Sequence, residues 1–302
     1  MGKLNRIYRL TVQLQDEQGK NINQALEIQN PFTVKFSVDR SIYAGLNSLD
    51  IDIYNLSPKN RNLLFQDVYG DRDGNYRNVI LESGYQGQGM SVIFNGNVWS
   101  AYSKRNGVDV ITHIYAIDGL STQSGMINTT LKSGTTAQEV IQAAAGQLKD
   151  LKTGTMNIPD HTFDRPVVLA GNAYKILKTY SDDNVFVDMK TIHIMKPNDA
   201  IEGVIPLITD SSGLLATPER QDATLTIRMI FEPRLQIGQL IQVKSEIAPQ
   251  FDGVYKIYGI KHNGTISDAV AENCTTTIQL QVGSQVFGRF NVLKAEQQQI
   301  SK

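Results

Sequence analysis

Phe94-Asn95-Gly96-Asn97-Val98-Trp99-Ser100-Ala101-Tyr102-Ser103-Lys104-Arg105-Asn106-Gly107 is echoed later in the chain by Phe251-Asp252-Gly253-Val254-Tyr255-Lys256-Ile257-Tyr258-Gly259-Ile260-Lys261-His262-Asn263-Gly264. Phe-x-Gly, Lys-x-Asn and the closing Gly fall in the same order and spacing in both. Each copy reads as a turn, a strand-like run and a second turn at Asn-Gly. The pattern predicts one β-rich unit present twice. Three copies of such a chain would present six similar surfaces, which lets a threefold object meet a six-fold partner.

Working outward, alternation supports the β reading. Phe32, Val34, Phe36 and Val38 alternate with polar residues, as do Leu49, Ile51 and Ile53, so one face of each predicted strand is buried and the other is wet. Ser57 followed by Pro58 predicts a short helix in which Leu63 and Leu64 face back to the sheet. Strands resume at 79–83, 91–101 and 108–117 after a polar loop at 67–74.

From about Asp118 to Ile205 the texture changes. Thr136-Ala137-Gln138-Glu139 fits a capping box, and Val140, Ile141, Ala144 and Leu148 form a helical stripe. A second helix is expected near Ala173–Ser181, then a hairpin from Asn184 to Met195. Strands return at 223–231, 240–245, 253–261 and 275–282, with a turn at Asn263-Gly264. The fold class is therefore mainly β with an α+β insert: two β-barrel-like tube domains at residues 1–118 and 206–290, an insert at 119–205 and a C-terminal tail at 291–302 that lacks apolar content.

Bulk properties narrow the function. The 302 residues carry 29 Lys plus Arg against 30 Asp plus Glu, so no summed field draws the chain to nucleic acid or anionic membrane. Cys274 is the single cysteine, leaving no internal disulfide and no cysteine zinc site. The first residues alternate as a strand does, unlike a signal peptide, and no apolar run reaches the length of a membrane span.

A search for chemistry returns little. His113, His161, His193 and His262 lie far apart and read as ordinary strand or turn residues. No Gly-x-Ser-x-Gly elbow supports a hydrolytic triad. Asp182-Asp183 and Asp71-Asp73 are too close in sequence to straddle a sugar unaided, and Asp71-Arg72-Asp73-Gly74 lacks the outer ligands of a calcium loop. Gly84-Tyr85-Gln86-Gly87-Gln88-Gly89 precedes a strand instead of opening a helix, so it reads as a flexible loop and not a phosphate cradle. Trp99 and the tyrosines read as half-buried sheet residues more readily than as a sugar platform. No catalytic residue, cofactor or metal is expected.

Three segments nevertheless resemble a known family. Leu49-Asp50-Ile51-Asp52-Ile53-Tyr54-Asn55-Leu56-Ser57, with Arg61 beyond it, resembles the strand-to-helix signature of baseplate hub proteins of contractile-tailed bacteriophages, relatives of the late-control protein D family. Thr217-Pro218-Glu219-Arg220 leading into Pro233-x-Leu235-x-x-Gly238-x-x-Ile241-x-Val243 resembles a second element of that family, and Gly253 to Gly264 the strand after it. Cys274, where a Trp is common, and Asn263, where a more acidic turn is usual, depart from the pattern. The resemblance implies a homotrimeric, pseudo-hexameric ring joining the tail tube to the central spike, with baseplate wedge and tape-measure proteins as further partners. It implies a virion location in the tail baseplate after assembly in the host cytoplasm, no membrane, and DNA only by passage through the lumen. Val92, Phe94, Val98, Ile227, Val243, Tyr255 and Ile257 are the expected ring-wall residues. The competing expectations are a tail-associated cell-wall or polysaccharide hydrolase and a carbohydrate-binding module.

Overall fold

Val34, Phe36 and Val38 are fully or almost fully buried while Lys35 between them and Asp39 just beyond are exposed, and Leu49, Ile51 and Ile53 repeat the arrangement one strand later. This period of two gives each strand a dry face and a wet one, as the sequence predicts. The computed structural model describes residues 5–16, 18–43, 45–67, 76–221, 224–269 and 273–281. Strands β1 (Arg6–Gln15), β2 (Asn21–Gln29), β3 (Val34–Ser41) and β4 (Ser48–Tyr54) precede helix α1 (Pro58–Leu64), which is followed by β5 (Asn78–Tyr85), β6 (Gly89–Asn106) and β7 (Asp109–Ile117). The middle of the chain holds α2 (Ser121–Ser124), β8 (Met126–Leu131), α3 (Ala137–Ala145), β9 (Lys152–Met156), β10 (Val167–Asn172), α4 (Ala173–Tyr180), β11 (Val185–Asp188) and β12 (Thr191–Ile194). The last strands are β13 (Leu207–Thr209), β14 (Glu219–Gln221), β15 (Thr224–Ile230), β16 (Leu240–Lys244), β17 (Gly253–Ile266) and β18 (Thr275–Gln281).

Thirteen strands form one sheet in the order β14-β15-β18-β17-β3-β4-β7-β6-β5-β1-β2, with β16 beside the start of β17 and β13 beside β16. All these pairings are antiparallel except β13 with β16. The sheet curls, because Tyr85 at the end of β5 donates a hydrogen bond to the carbonyl of Phe231 just after β15, strands far apart in sheet order. Phe231 meets Phe36, Tyr85 and His262 edge-on at that closure. Two apolar cores line the curled sheet: one built from β1, β3–β7 and Phe231, the other from β15–β18 and Leu235, Ile237, Phe186 and Met195. A third, separate core sits among α3, α4 and strands β8–β12. There β8 pairs with β10, and β9, β11 and β12 form a three-stranded sheet.

The predicted helices form for the predicted reasons. Thr136 and Glu139 complete the capping box of α3, and Ser57 accepts from the Asn60 amide at the start of α1. The β11–β12 hairpin turns through Met189 and Lys190, both at positive φ.

Several expectations need correction. Leu64 is buried, but Leu63 is partly exposed, because the seven-residue helix turns only one narrow side to the sheet and neighbouring positions point about 100° apart. Gly84–Gly89 is a tight hairpin and not a flexible loop: Tyr85 pairs with Gly89, and Gly87 and Gly89 take positive φ. Asn106-Gly107 does form the β6–β7 hairpin turn, with Gly107 at positive φ. Its counterpart does not: Asn263 and Gly264 lie inside β17, paired with Ser37 and Phe36 on β3. Gly264 is needed there for closeness, since a Cβ would stand 2.6 Å from the Cys274 Cα. Phe94 and Gly96 lie mid-strand, whereas Phe251 belongs to a 3-10 turn ahead of β17. The repeated signature thus marks a strand in each half but not equivalent turns, and β6 and β17 have different neighbours. The sequence reading also passes over β2, β8, β9, β10, β13 and β14 as strands. Residues 1–4, most of the Asp67–Gly74 loop including Asp71 and Asp73, and residues 282–302 with the whole tail lie outside the described residues.

Candidate functional site

The middle of the chain is bolted to the sheet by a buried polar junction. Arg40, on the inward face of β3, grips Asp188 at the end of β11 through two hydrogen bonds of 2.9 and 2.6 Å, and both side chains are almost completely buried. Asn47 donates to the same carboxylate and to the Val187 carbonyl. Asp118, leaving β7, accepts the Lys190 amide from the hairpin turn. Burial, reinforced by the nearby charge of Asp188, pushes the Asp118 carboxyl up to about 7. Burial lowers Lys190 and His193 beside it. On the exit side, Lys256 of β17 donates to the carbonyls of Lys196 and Pro197, and burial lowers it to about 8. Both crossings between the middle of the chain and the sheet are therefore tied by a buried charged side chain.

Two concavities are of note, the first beside this junction and the second elsewhere on the sheet. One, about 680 Å³, lies among Arg40, Asn95, Asp188, His193, Arg234 and Ile237. The other, about 480 Å³, opens on the sheet's wet face over Lys35, Asp50, Asp52, Arg228, Asn263 and Thr275. Among the described residues no hydroxyl lining either concavity is hydrogen-bonded to a histidine or a carboxylate; that of Thr191 donates to the Met189 carbonyl, and His193 accepts the Thr155 amide.

The candidate residues of the sequence are placed as follows. His161 packs edge-on to Phe163, His193 stacks on Phe186 and accepts the Thr155 amide, and His262 is wholly buried, bonded to Thr276, with burial holding it down at about 3. His113 departs from the ordinary: it lies opposite Asp52 across β4 and β7, with Nδ1 2.9 Å from the Asp52 carboxylate and 3.6 Å from that of Asp50. Sequence reasoning missed this trio because only the sheet register unites residues so far apart. Asp182 and Asp183 end α4 at positive φ, as helix-end residues. Trp99 stacks on Tyr76. Of the ring-wall candidates, Phe94 and Val98 fill the first core, and Ile227, Val243 and Ile257 the second; Tyr255 packs beside the second, and Val92 is partly exposed.

The family model for baseplate hub gp41 matches residues 7–269. The chain belongs to the baseplate hub gp41 family. The fold agrees with tail proteins of known structure. The tail protein from Neisseria meningitidis MC58 superimposes with a TM-score of 0.60 at 12% identity, over 93% of this chain and 98% of that one. The 43 kDa tail protein of prophage MuSo2 from Shewanella oneidensis gives 0.55 at 10% identity, over 93% and 99%. A chain of the half-lidded Francisella PdpA–VgrG complex gives 0.55 at 9% identity, over 96% of this chain and 60% of that one. No curated protein sequence matches the chain. Membership of this hub family supports a structural role in a phage tail baseplate, and with it a place in the virion tail. The resemblance read from Leu49–Ser57 and the Pro233–Val243 element pointed to the same family.

Proposed function

We propose that this hub protein forms a ring of three copies that joins the tail tube to the central spike of a contractile-tail baseplate. The family match across residues 7–269 carries the reading. The two apolar cores of the curled sheet support its geometry, since each copy offers two β units and three copies offer six. In this scheme residues 1–118 and 206–290 are the tube domains, 119–205 the insert, and 291–302 a tail for a partner. The strands bearing Val92, Phe94, Val98, Ile227, Val243, Tyr255 and Ile257 form the ring wall. Most of those side chains fill the chain's own cores, so subunit contacts fall to the outer faces and edges of the same strands.

Ring closure would cover the open edges of β2 and β14, whose unpaired amides otherwise invite aggregation. An obligate interface of this kind buries more than roughly 2,000 Å². Tube protein, spike, wedge and tape-measure proteins are its partners; assembly takes place in the host cytoplasm, and DNA only passes through the lumen. The chain acts as scaffold and not as enzyme.

Native mass spectrometry of the chain co-expressed with its spike tests this. Three copies per spike assembly are expected; a single copy bound to a spike trimer contradicts the ring. Clear lysis of purified peptidoglycan by the isolated protein contradicts the scaffold-only role.

A further inference from the structure

Asp50 and Asp52 alternate with buried Leu49, Ile51 and Ile53 on β4, so both carboxylates stand on the wet face of the sheet. His113 on β7 is the register partner of Asp52, and Tyr102 on β6 packs against its ring at 5.1 Å, fixing the imidazole in place. One donor atom from each of the three side chains lies within 4.8 Å of the other two. Among the described residues this is the one place where three histidine, cysteine or carboxylate side chains converge so closely.

The spacing suits a metal better than a bare ion pair requires. With metal–ligand bonds near 2.1 Å, neighbouring donors around a tetrahedral or octahedral ion stand about 3.0–3.5 Å apart. The His113 nitrogen lies 2.9 Å from Asp52 and 3.6 Å from Asp50. One of these carboxylates satisfies the imidazole N–H; the second is superfluous for a hydrogen bond and is what a three-donor set adds. The donors also sit on neighbouring hydrogen-bonded strands, where little ordering remains to be done on binding. The 480 Å³ concavity beside Asp50 and Asp52 gives an entry path and room for water at the remaining positions.

We propose that Asp50, Asp52 and His113 bind a divalent first-row transition cation, Zn²⁺ being the natural probe, through one imidazole nitrogen and two carboxylates. Such a mixed set selects against Mg²⁺ and Ca²⁺, which favour all-oxygen shells. The ion would pin β4 to β7 and keep at least one coordination position open to water or to a ligand from a neighbouring molecule. Lys35 is the register partner of Asp52 on β3 and, with Arg228, lines the same concavity, so their charges oppose the cation. The inference does not rest on the ring.

Calorimetric titration of chelator-treated, untagged full-length protein with Zn²⁺ tests it, alongside His113→Ala, Asp52→Asn and Lys35→Met. Expected are one ion per chain, affinity lowered at least tenfold in H113A and D52N, tightened in K35M, and no competition from equimolar Mg²⁺. Co²⁺ substituted for Zn²⁺ should show visible absorption of a nitrogen–oxygen site, lost in D52N. Because D52N preserves the shape of the side chain, it decides the matter should H113A fail to fold. Absence of Zn²⁺ uptake, or uptake unchanged in folded D52N, overturns the proposal.

Discussion

Asp118 is buried with a proton affinity raised to about 7 from an ordinary 3.8, through burial first and Asp188 second. A raised carboxyl makes the folded state hold its proton more tightly than the unfolded state. Its penalty is therefore absent below the unfolded value, grows as pH rises from about 4 to about 7, and is complete above that. A rise from 3.8 to about 7 corresponds to at most about 4 kcal/mol. Asp118→Asn keeps an oxygen to accept the Lys190 amide and cannot ionise. Denaturant unfolding should show D118N more stable than the wild type at pH 8, with the difference vanishing near pH 4; parallel profiles would contradict this account. Arg40 and Asp188 obey the opposite logic. Removing one partner strands the other charge, so Asp188→Ala should lose about 3–5 kcal/mol, whereas a paired Arg40→Met, Asp188→Leu replacement should lose far less. Little of this was legible beforehand. Arg40 occupies an apolar position in an alternating strand, yet nothing local names a partner so far along the chain, and Asp52 and His113 likewise meet only through register. The capping side chains Ser57, Thr136 and Glu139 were legible, because caps act within four residues.

Elements were readable where they were amphipathic. β3, β4, β15 and β18 carry clean alternation, α3 an apolar stripe with its cap, and α4 an apolar stripe whose cap, Asn172, the sequence reading does not name. The edge strand β2 was missed because the partner of a single strand needs few apolar residues: only Ile28 of its nine is buried. Glycines were the ambiguous signal. Asn-Gly spells a turn in both copies of the repeat, but Gly107 supplies positive φ and Gly264 supplies closeness. The two roles predict different responses. In Gly264→Ala the new methyl meets Cys274 backbone as well as sulfur, so overpacking should destabilise by about 1–3 kcal/mol, and Cys274→Ala should not restore the loss. In Gly107→Ala nothing lies within 4 Å, so the loss should be of the order of 1 kcal/mol and come from φ strain alone. Chemical denaturation of the three variants separates these cases; full rescue by C274A would show that backbone closeness is not what the glycine serves.

At the scale of the molecule, the order of units was more informative than any motif. Strand-rich ends around a mixed middle, together with the Leu49–Ser57 and Pro233–Val243 segments, pointed to the baseplate hub family that matches residues 7–269. The supposed duplication was less dependable, since its signature falls on strands with different neighbours in a single sheet. What the structure shows is one curled sheet lining two apolar cores. The most direct test is an electron cryomicroscopy map of isolated baseplates reconstructed without imposed symmetry. The account predicts three copies of this chain around the tail axis, with six β units at equal radius beneath the tube and the inserts outside them. Six copies, or two β units per copy at clearly different radii, would contradict it.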